Sequence, residues 1–127
     1  MPLDAHIESV GREIIDCGLR VHQTLGPGLL ESAYEACLAY ELARCGLNVR
    51  RQVALPIVYD GVTLDAGYKI DILVENAVIV EIKAIDLLQP IHQAQLLTYL
   101  KLSRLRLGYL MNFNVALFKQ GIKRTVL

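Results

Sequence analysis

Tyr68-Lys69-Ile70-Asp71-Ile72-Leu73-Val74-Glu75-Asn76-Ala77-Val78-Ile79-Val80-Glu81-Ile82-Lys83 decides the reading of the chain. Two apolar runs rich in β-branched residues meet at Glu75-Asn76, the pattern of a β-hairpin. Each run carries an acid where a plain core strand would be apolar: Asp71 in the first, Glu81 in the second. Side chains alternate faces along a strand, so Glu81 and Lys83 point one way and Val80 and Ile82 the other. An acid and a lysine on one face of an apolar strand are costly if buried without partners, and that cost marks the hairpin as a candidate site.

On the C-terminal side, Ala77 to Ala84 forms the hairpin's second strand. Pro90, at an allowed first-turn position, then opens a helix to about Ser103. Leu96, Leu97 and Leu100 can pack inward, while His92, Gln95 and Tyr99 follow one side at three and four. Leu105 to Phe113 is a further strand. The strand–helix–strand run from Ala77 to Met111 is long enough for a right-handed crossover, which makes the two strands parallel. Asn112-Phe113-Asn114 turns the chain into Val115–Lys119, and Gln120-Gly121 turns it into a short end, Ile122–Leu127.

On the N-terminal side, Val62 to Val74 reads as one strand with a bend available at Gly67. Asp60-Gly61 is a hairpin turn, and Val49 to Tyr59 is a strand with Pro56 at an edge or bulge. These strands and the one at 77–84 form an antiparallel meander. Asp4 to about Leu25 is a helix with the stripe Ile7, Val10, Ile14, Cys17 and Val21, and with i,i+4 pairs Glu8–Arg12 and Asp16–Arg20. Gly26-Pro27-Gly28 ends it. A second helix runs from about Leu29 to Cys45, with Leu30, Tyr34, Cys37, Leu38, Leu42 and Cys45 as its apolar face and Gly46 as its stop. Glu31 stands in its first turn, one position off that stripe, where the helix macrodipole alone would favour an acid. The pattern is one α/β domain over residues 1–127, a central mixed sheet flanked by helices.

At 127 residues the chain suffices for one domain with a real core, and 54% of it is hydrophobic. No run approaches the ~20 apolar residues of a membrane span, and the first residues do not read as a secretory signal. The apolar excess fits a face covered by a second subunit, a homo-oligomer such as a dimer. Cys17, Cys37 and Cys45 cannot all pair internally and show no Cys-x-x-Cys spacing. They read as small buried apolar residues of a reduced, cytoplasmic protein. His6, His22 and His92 are too scattered for a zinc cluster. Net charge is zero but uneven: residues 1–86 balance to −6, and residues 87–127 hold no acid and six basic residues. That asymmetry is compatible with a polyanionic partner and equally with a solvated surface.

Adjacent strands lie ~4.8 Å apart, so Asp71 and Glu81 on one face can converge on a single cation. Hard oxygen donors suit Mg²⁺ or Mn²⁺, and the backbone carbonyl of Ile82 can add another. Lys83 beside them can hold or deprotonate a water, or stabilise charge on a phosphate. The alternative is an ordinary surface ion pair, Glu81–Lys83 or Asp71–Lys83, and the short pattern by itself does not choose between them.

Asp71…Glu81-Ile82-Lys83 resembles the core motif of the PD-(D/E)XK nuclease superfamily, with Ile70 where the name expects proline. Gly28-Leu29-Leu30-Glu31-Ser32-Ala33-Tyr34 resembles the signature of the GxxExxY proteins. Gln95-Leu96-Leu97-Thr98-Tyr99 resembles the Gln-x-x-x-Tyr motif of the RecB-like branch. The order of these motifs is the family order, and they span roughly residues 10–112. The resemblance implies a restriction-endonuclease-like core. It implies Asp71 and Glu81 as main metal ligands, Glu31 as a further ligand or water-orienting acid reaching in from its helix, and Lys83 as the catalytic lysine. Gln95 and Tyr99 would position substrate or active-site groups, while Tyr34 and Gly28 would support helix geometry. RecB-like relatives often carry an iron–sulfur cluster on four cysteines, which three cannot supply.

The function implied is a Mg²⁺- or Mn²⁺-dependent nuclease hydrolysing phosphodiester bonds, with DNA ahead of RNA as partner. Two alternatives stand beside it: a small dimeric nucleic-acid- or protein-binding module that keeps the fold without turnover, and an enzyme using the site on a nucleotide or RNA.

Overall fold

The computed structural model describes residues 1–127. Three α-helices, α1 (Ala5–Leu25), α2 (Glu31–Arg44) and α3 (Pro90–Ser103), accompany seven strands. The strands are β1 (Val49–Ala54), β2 (Ile57–Tyr59), β3 (Val62–Leu64), β4 (Lys69–Val74), β5 (Val78–Lys83), β6 (Leu107–Asn112) and β7 (Ile122–Val126). Five form a mixed sheet in the order β1-β4-β5-β6-β7. β6 runs parallel to β5 through α3, and the other pairs are antiparallel.

Alternation along the strands divides the core in two. Ile72, Val74, Val78, Val80, Ile82, Tyr109 and Met111 pack under α1 and α2 with Val10, Ile14, Leu38 and Leu42. Leu73, Ile79 and Leu110 face α3 and pack on Leu96, Tyr99 and Leu100. The expected stripe on α1 is present, widened by Gly11 and Gly18. A Cβ on Gly18 would stand 2.8 Å from the ring of Phe118, so its bare backbone lets α1 lie close against the turn between β6 and β7. Glu75 and Asn76 both adopt positive φ (54° and 50°), the geometry of a tight hairpin turn between β4 and β5.

Several expectations are corrected. The runs 49–59 and 62–74 each break in two. Pro56 cannot donate to a ladder, and Gly67 turns at φ 78°, so β2 and β3 leave the sheet as a separate two-stranded ribbon closed at Asp60-Gly61. The meander survives as β1-β4-β5 with that ribbon inserted. Leu30 caps α2 and is exposed rather than on its apolar face. Of the cysteines only Cys17 is buried; Cys37 is half-buried and Cys45 exposed, since Cys45 stands past the last helical turn. Neither pair expected along α1 forms, because Glu8 binds Arg124 and Arg20 binds Glu41 across elements.

Candidate active site

The ladder between β4 and β5 ends at Ile72↔Val80. Beyond that pair the strands part, and two carboxylates enter the gap. The Ile82 N–H donates to Asp71 Oδ2 (2.9 Å), and the Asp71 N–H donates to Glu81 Oε2 (2.8 Å). The other flank of Asp71 is also opened. Gln52 falls between the pairs Arg51↔Ile72 and Val53↔Ile70, opposite Asp71, and stands at φ 51°, outside the ladder. The acids have thus taken the place of strand hydrogen bonds and are fixed by the backbone.

Glu81 is buried, 5% exposed, on the side of the sheet covered by α3. Burial first and the neighbouring Asp71 charge second push its carboxyl up to about 8; the Asp71 N–H, Lys83 and Glu35 act as smaller influences. Lys83 is half-buried, with no carboxylate within 4.0 Å, so neither surface ion pair forms.

Glu31 projects from the first turn of α2 to the same end of the sheet, its Oε2 accepting from the Ala84 N–H at 3.4 Å. Its position depends on the preceding loop. The Tyr34 hydroxyl donates to the Gly26 carbonyl (2.6 Å) and accepts from the Leu29 N–H (3.1 Å), while its buried ring stacks on Phe113 at 4.6 Å. Gly28, at φ 108°, makes the bend. Both residues hold the loop that sets the start of α2.

Glu31, Ser32, Glu35, Arg51, Gln52, Asp71 and Ile82 line a cleft of ≈ 430 Å³. Four of these, Ser32, Glu35, Arg51 and Gln52, were not among the candidate residues read from the sequence. Glu35 is 7% exposed; its Oε2 accepts from Arg51 Nε at 3.0 Å and its Oε1 from Gln52 Nε2 at 2.7 Å. Gln52 Nε2 also donates to Asp71 Oδ1 at 3.3 Å, which links α2 to the acid pair through β1. One signal was available: Glu35 stands four residues after Glu31, on the same helix face. Nothing in the sequence around Gln52 announces its backbone conformation.

Gln95 and Tyr99 are brought together, Gln95 Nε2 donating to the Tyr99 hydroxyl at 3.0 Å. They line a neighbouring cleft of ≈ 380 Å³, with Ile57, Tyr68, Ile91 and His92, rather than the acid-lined one. The Tyr99 hydroxyl still feels the acids: burial first and the Glu81 charge second raise its pKa, with Asp71 adding. Of the six C-terminal basic residues, Arg106 is tied to the Met1, Pro2 and Leu127 carbonyls and Arg124 to Glu8. That leaves Lys101, Arg104, Lys119 and Lys123 as exposed basic groups outside these bonds.

Oxygen donors of this kind suit a hard divalent cation, and the Asp71 and Glu81 carboxylates are held in place by the backbone. Glu31, Asp71 and Glu81 do not, however, bring three carboxylate oxygens within 4.8 Å of one another. No curated protein and no solved structure matches the chain. The family model of the PD-(D/E)XK nuclease superfamily matches residues 8–125, which include α2, the β4–β5 hairpin and α3, and the chain belongs to that superfamily.

Proposed function

We propose that the chain is a nuclease that hydrolyses phosphodiester bonds, with DNA as its substrate and Mg²⁺ or Mn²⁺ as its cofactor. Within the superfamily we assign it to the GxxExxY proteins on Gly28, Glu31 and Tyr34. The observation that carries the reading is the pair of acids set into the parted strands, of which Asp71 opens onto the cleft that Glu31 also lines. Asp71, Glu81, the Ile82 carbonyl and Glu31 would hold the cation. Bound there, it supplies Lewis-acid polarisation of the scissile phosphate and a more acidic water. Lys83, free of any ion pair, holds the attacking water or takes its proton. Gln52 and Glu35 fix the orientation of Asp71. Gln95 and Tyr99, hydrogen-bonded to each other beside the acids, position the strand being cut. Lys101, Arg104, Lys119 and Lys123 offer sequence-independent contacts to phosphates.

The test uses single- and double-stranded DNA with Mn²⁺ and an EDTA control. Cleavage by the parent is expected to stop with EDTA, and Lys83→Ala or Asp71→Asn is expected to lower it about 10²–10⁴-fold. Variants that degrade DNA as fast as the parent would overturn the assignment.

A second reading has its own observation. Val58, Tyr59, Val62 and Leu64 on the β2–β3 ribbon are all exposed, an apolar surface of the kind that meets a partner. On this reading the chain is a dimeric binding module that keeps the nuclease fold. Calorimetric titration with Mn²⁺ separates the two: binding abolished by Asp71→Asn favours the nuclease, and absent or unaltered binding favours the module.

A further inference from the structure

Away from the acid cleft, α1 and the C-terminal end of α2 bring together a second cluster of reactive side chains. Cys17 Sγ lies 3.8 Å from Cys45 Sγ, although the two are 28 positions apart. Arg20 Nη2 donates to both sulfurs, at 3.1 Å to Cys17 and 3.4 Å to Cys45. Its Nε faces Glu41 Oε2 at 3.4 Å, and Arg44 approaches the same carboxylate oxygen at 2.9 Å, so the guanidinium is held over the pair. The sulfurs differ in access. Cys17 is fully buried in mid-helix, and burial pushes its thiol up to about 12. Cys45 is exposed, in the turn that ends α2, followed by Gly46 at φ 85°.

Glu13 offers a carboxylate within 4.8 Å of both sulfurs, which raises the alternative of a metal site. Electrostatics disfavours it. The permanent cation of Arg20 already sits against both sulfurs, where a metal ion would have to stand, and zinc would find only three protein ligands. Two sulfurs in contact, one buried and one exposed, with no metal position between them, are instead placed for joining to each other.

We propose that Cys17 and Cys45 are an oxidant-sensitive pair that closes to an intramolecular disulfide joining α1 to the end of α2. The oxidant is a hydroperoxide. The exposed Cys45 thiolate attacks its terminal oxygen, the O–O bond breaks, and Cys45 becomes a sulfenic acid while the departing alkoxide or hydroxide takes a proton. The Cys17 sulfur then attacks the Cys45 sulfur. The S–O bond breaks, and the hydroxide leaves as water with the Cys17 proton. Two thiols have lost two electrons and two protons, and one peroxide has been reduced. The sulfurs must close from 3.8 Å to about 2 Å. The Cys45 side supplies that motion, because it is the exposed end of a helix while Cys17 is packed on every side.

The test treats the full chain with graded hydrogen peroxide, alkylates it after denaturation, and maps peptides by mass. The expected product is a monomer about 2 Da lighter, with a Cys17–Cys45 cross-linked peptide, Cys37 alkylated, and full reversal by dithiothreitol. Cys45→Ser, an exposed change, should abolish the cross-link while leaving nuclease activity at the parent level. Arg20→Gln should slow closure several-fold. Oxidation that stops at a sulfenic or sulfinic acid on Cys45, disulfide-linked dimers, or a stoichiometric zinc ion lost on Cys45→Ser would each overturn the proposal.

Discussion

Glu81 is the residue at which the chemistry of the site becomes measurable without substrate. In the metal-free protein its carboxyl is raised from the ordinary 4.5 to about 8 by burial and by Asp71. Between those values the folded chain holds a proton that the unfolded chain has released. Stability from this group is therefore full below about pH 4.5, falls as pH rises toward 8, and is flat above. The difference is on the order of a few kcal/mol. Glu81→Gln carries no such proton, so the gap in melting temperature between parent and variant should change steadily from pH 5 to pH 8. Millimolar Mg²⁺ at pH 8 should stabilise the parent and leave Glu81→Gln unmoved, because a ligand that binds only the folded state stabilises it. Parallel curves for the two proteins would show that Glu81 is not the buried acid described. The pattern revealed this residue because an acid in Val-Ile-Val-Glu-Ile breaks an apolar run. It did not reveal how Glu81 is satisfied, since that depends on the parting of β4 from β5, which only the assembled sheet displays.

At the scale of the element, β1 does more than extend the sheet. Its regular register on β4 is interrupted at Gln52, opposite Asp71. A non-glycine residue at φ 51° costs roughly 1–3 kcal/mol, here held by the side-chain bonds to Glu35 and Asp71. The ordinary rule for a strand is that glycine is less stable than alanine. At this position the order should invert. Gln52→Ala loses the side-chain bonds and keeps the strained backbone, whereas Gln52→Gly loses the bonds and relieves the strain. We expect Gln52→Gly to unfold at the higher temperature, with a difference of about 1 kcal/mol, and both variants to cleave DNA more slowly than the parent. An alanine variant as stable as the glycine one would mean that the strain is not present. Helix α1 was legible from its clean period of 3.6, α2 and α3 from the breaks at Gly26-Pro27-Gly28, Gly46 and Pro90 that bound them, and the hairpin strands from two continuous apolar runs meeting at Glu75-Asn76. β1 with β2, and β3 with β4, were read as single strands because their apolar alternation runs through Pro56 and Gly67. Periodicity reports burial preference and is blind to a chain that changes sheets.

For the whole molecule, the question is what the β2–β3 ribbon is for. An isolated two-stranded ribbon is marginal in water, and this one buries little: Val58, Tyr59, Val62 and Leu64 are between 47% and 72% exposed. Ile57, at its base, lines the cleft of Gln95 and Tyr99, so whatever covers the ribbon borders the candidate site. The composition carried the same message in a cruder form, as an apolar excess that a chain of 127 residues cannot wholly bury. What composition lacks is location, and the sheet supplies it by expelling these two strands. A second copy of the chain, pairing ribbon to ribbon, would bury these side chains and complete the unpaired ribbon edges. Sedimentation equilibrium should then report a dimer for the parent and a monomer for the double variant Tyr59→Ser, Val62→Thr. Helical circular dichroism and Mn²⁺ binding should be unchanged, since neither residue touches the core or the acids. A parent that sediments as a monomer at every concentration would sink the idea. The ribbon would then be a surface kept free beside the cleft, and single-stranded DNA would be the occupant to try next.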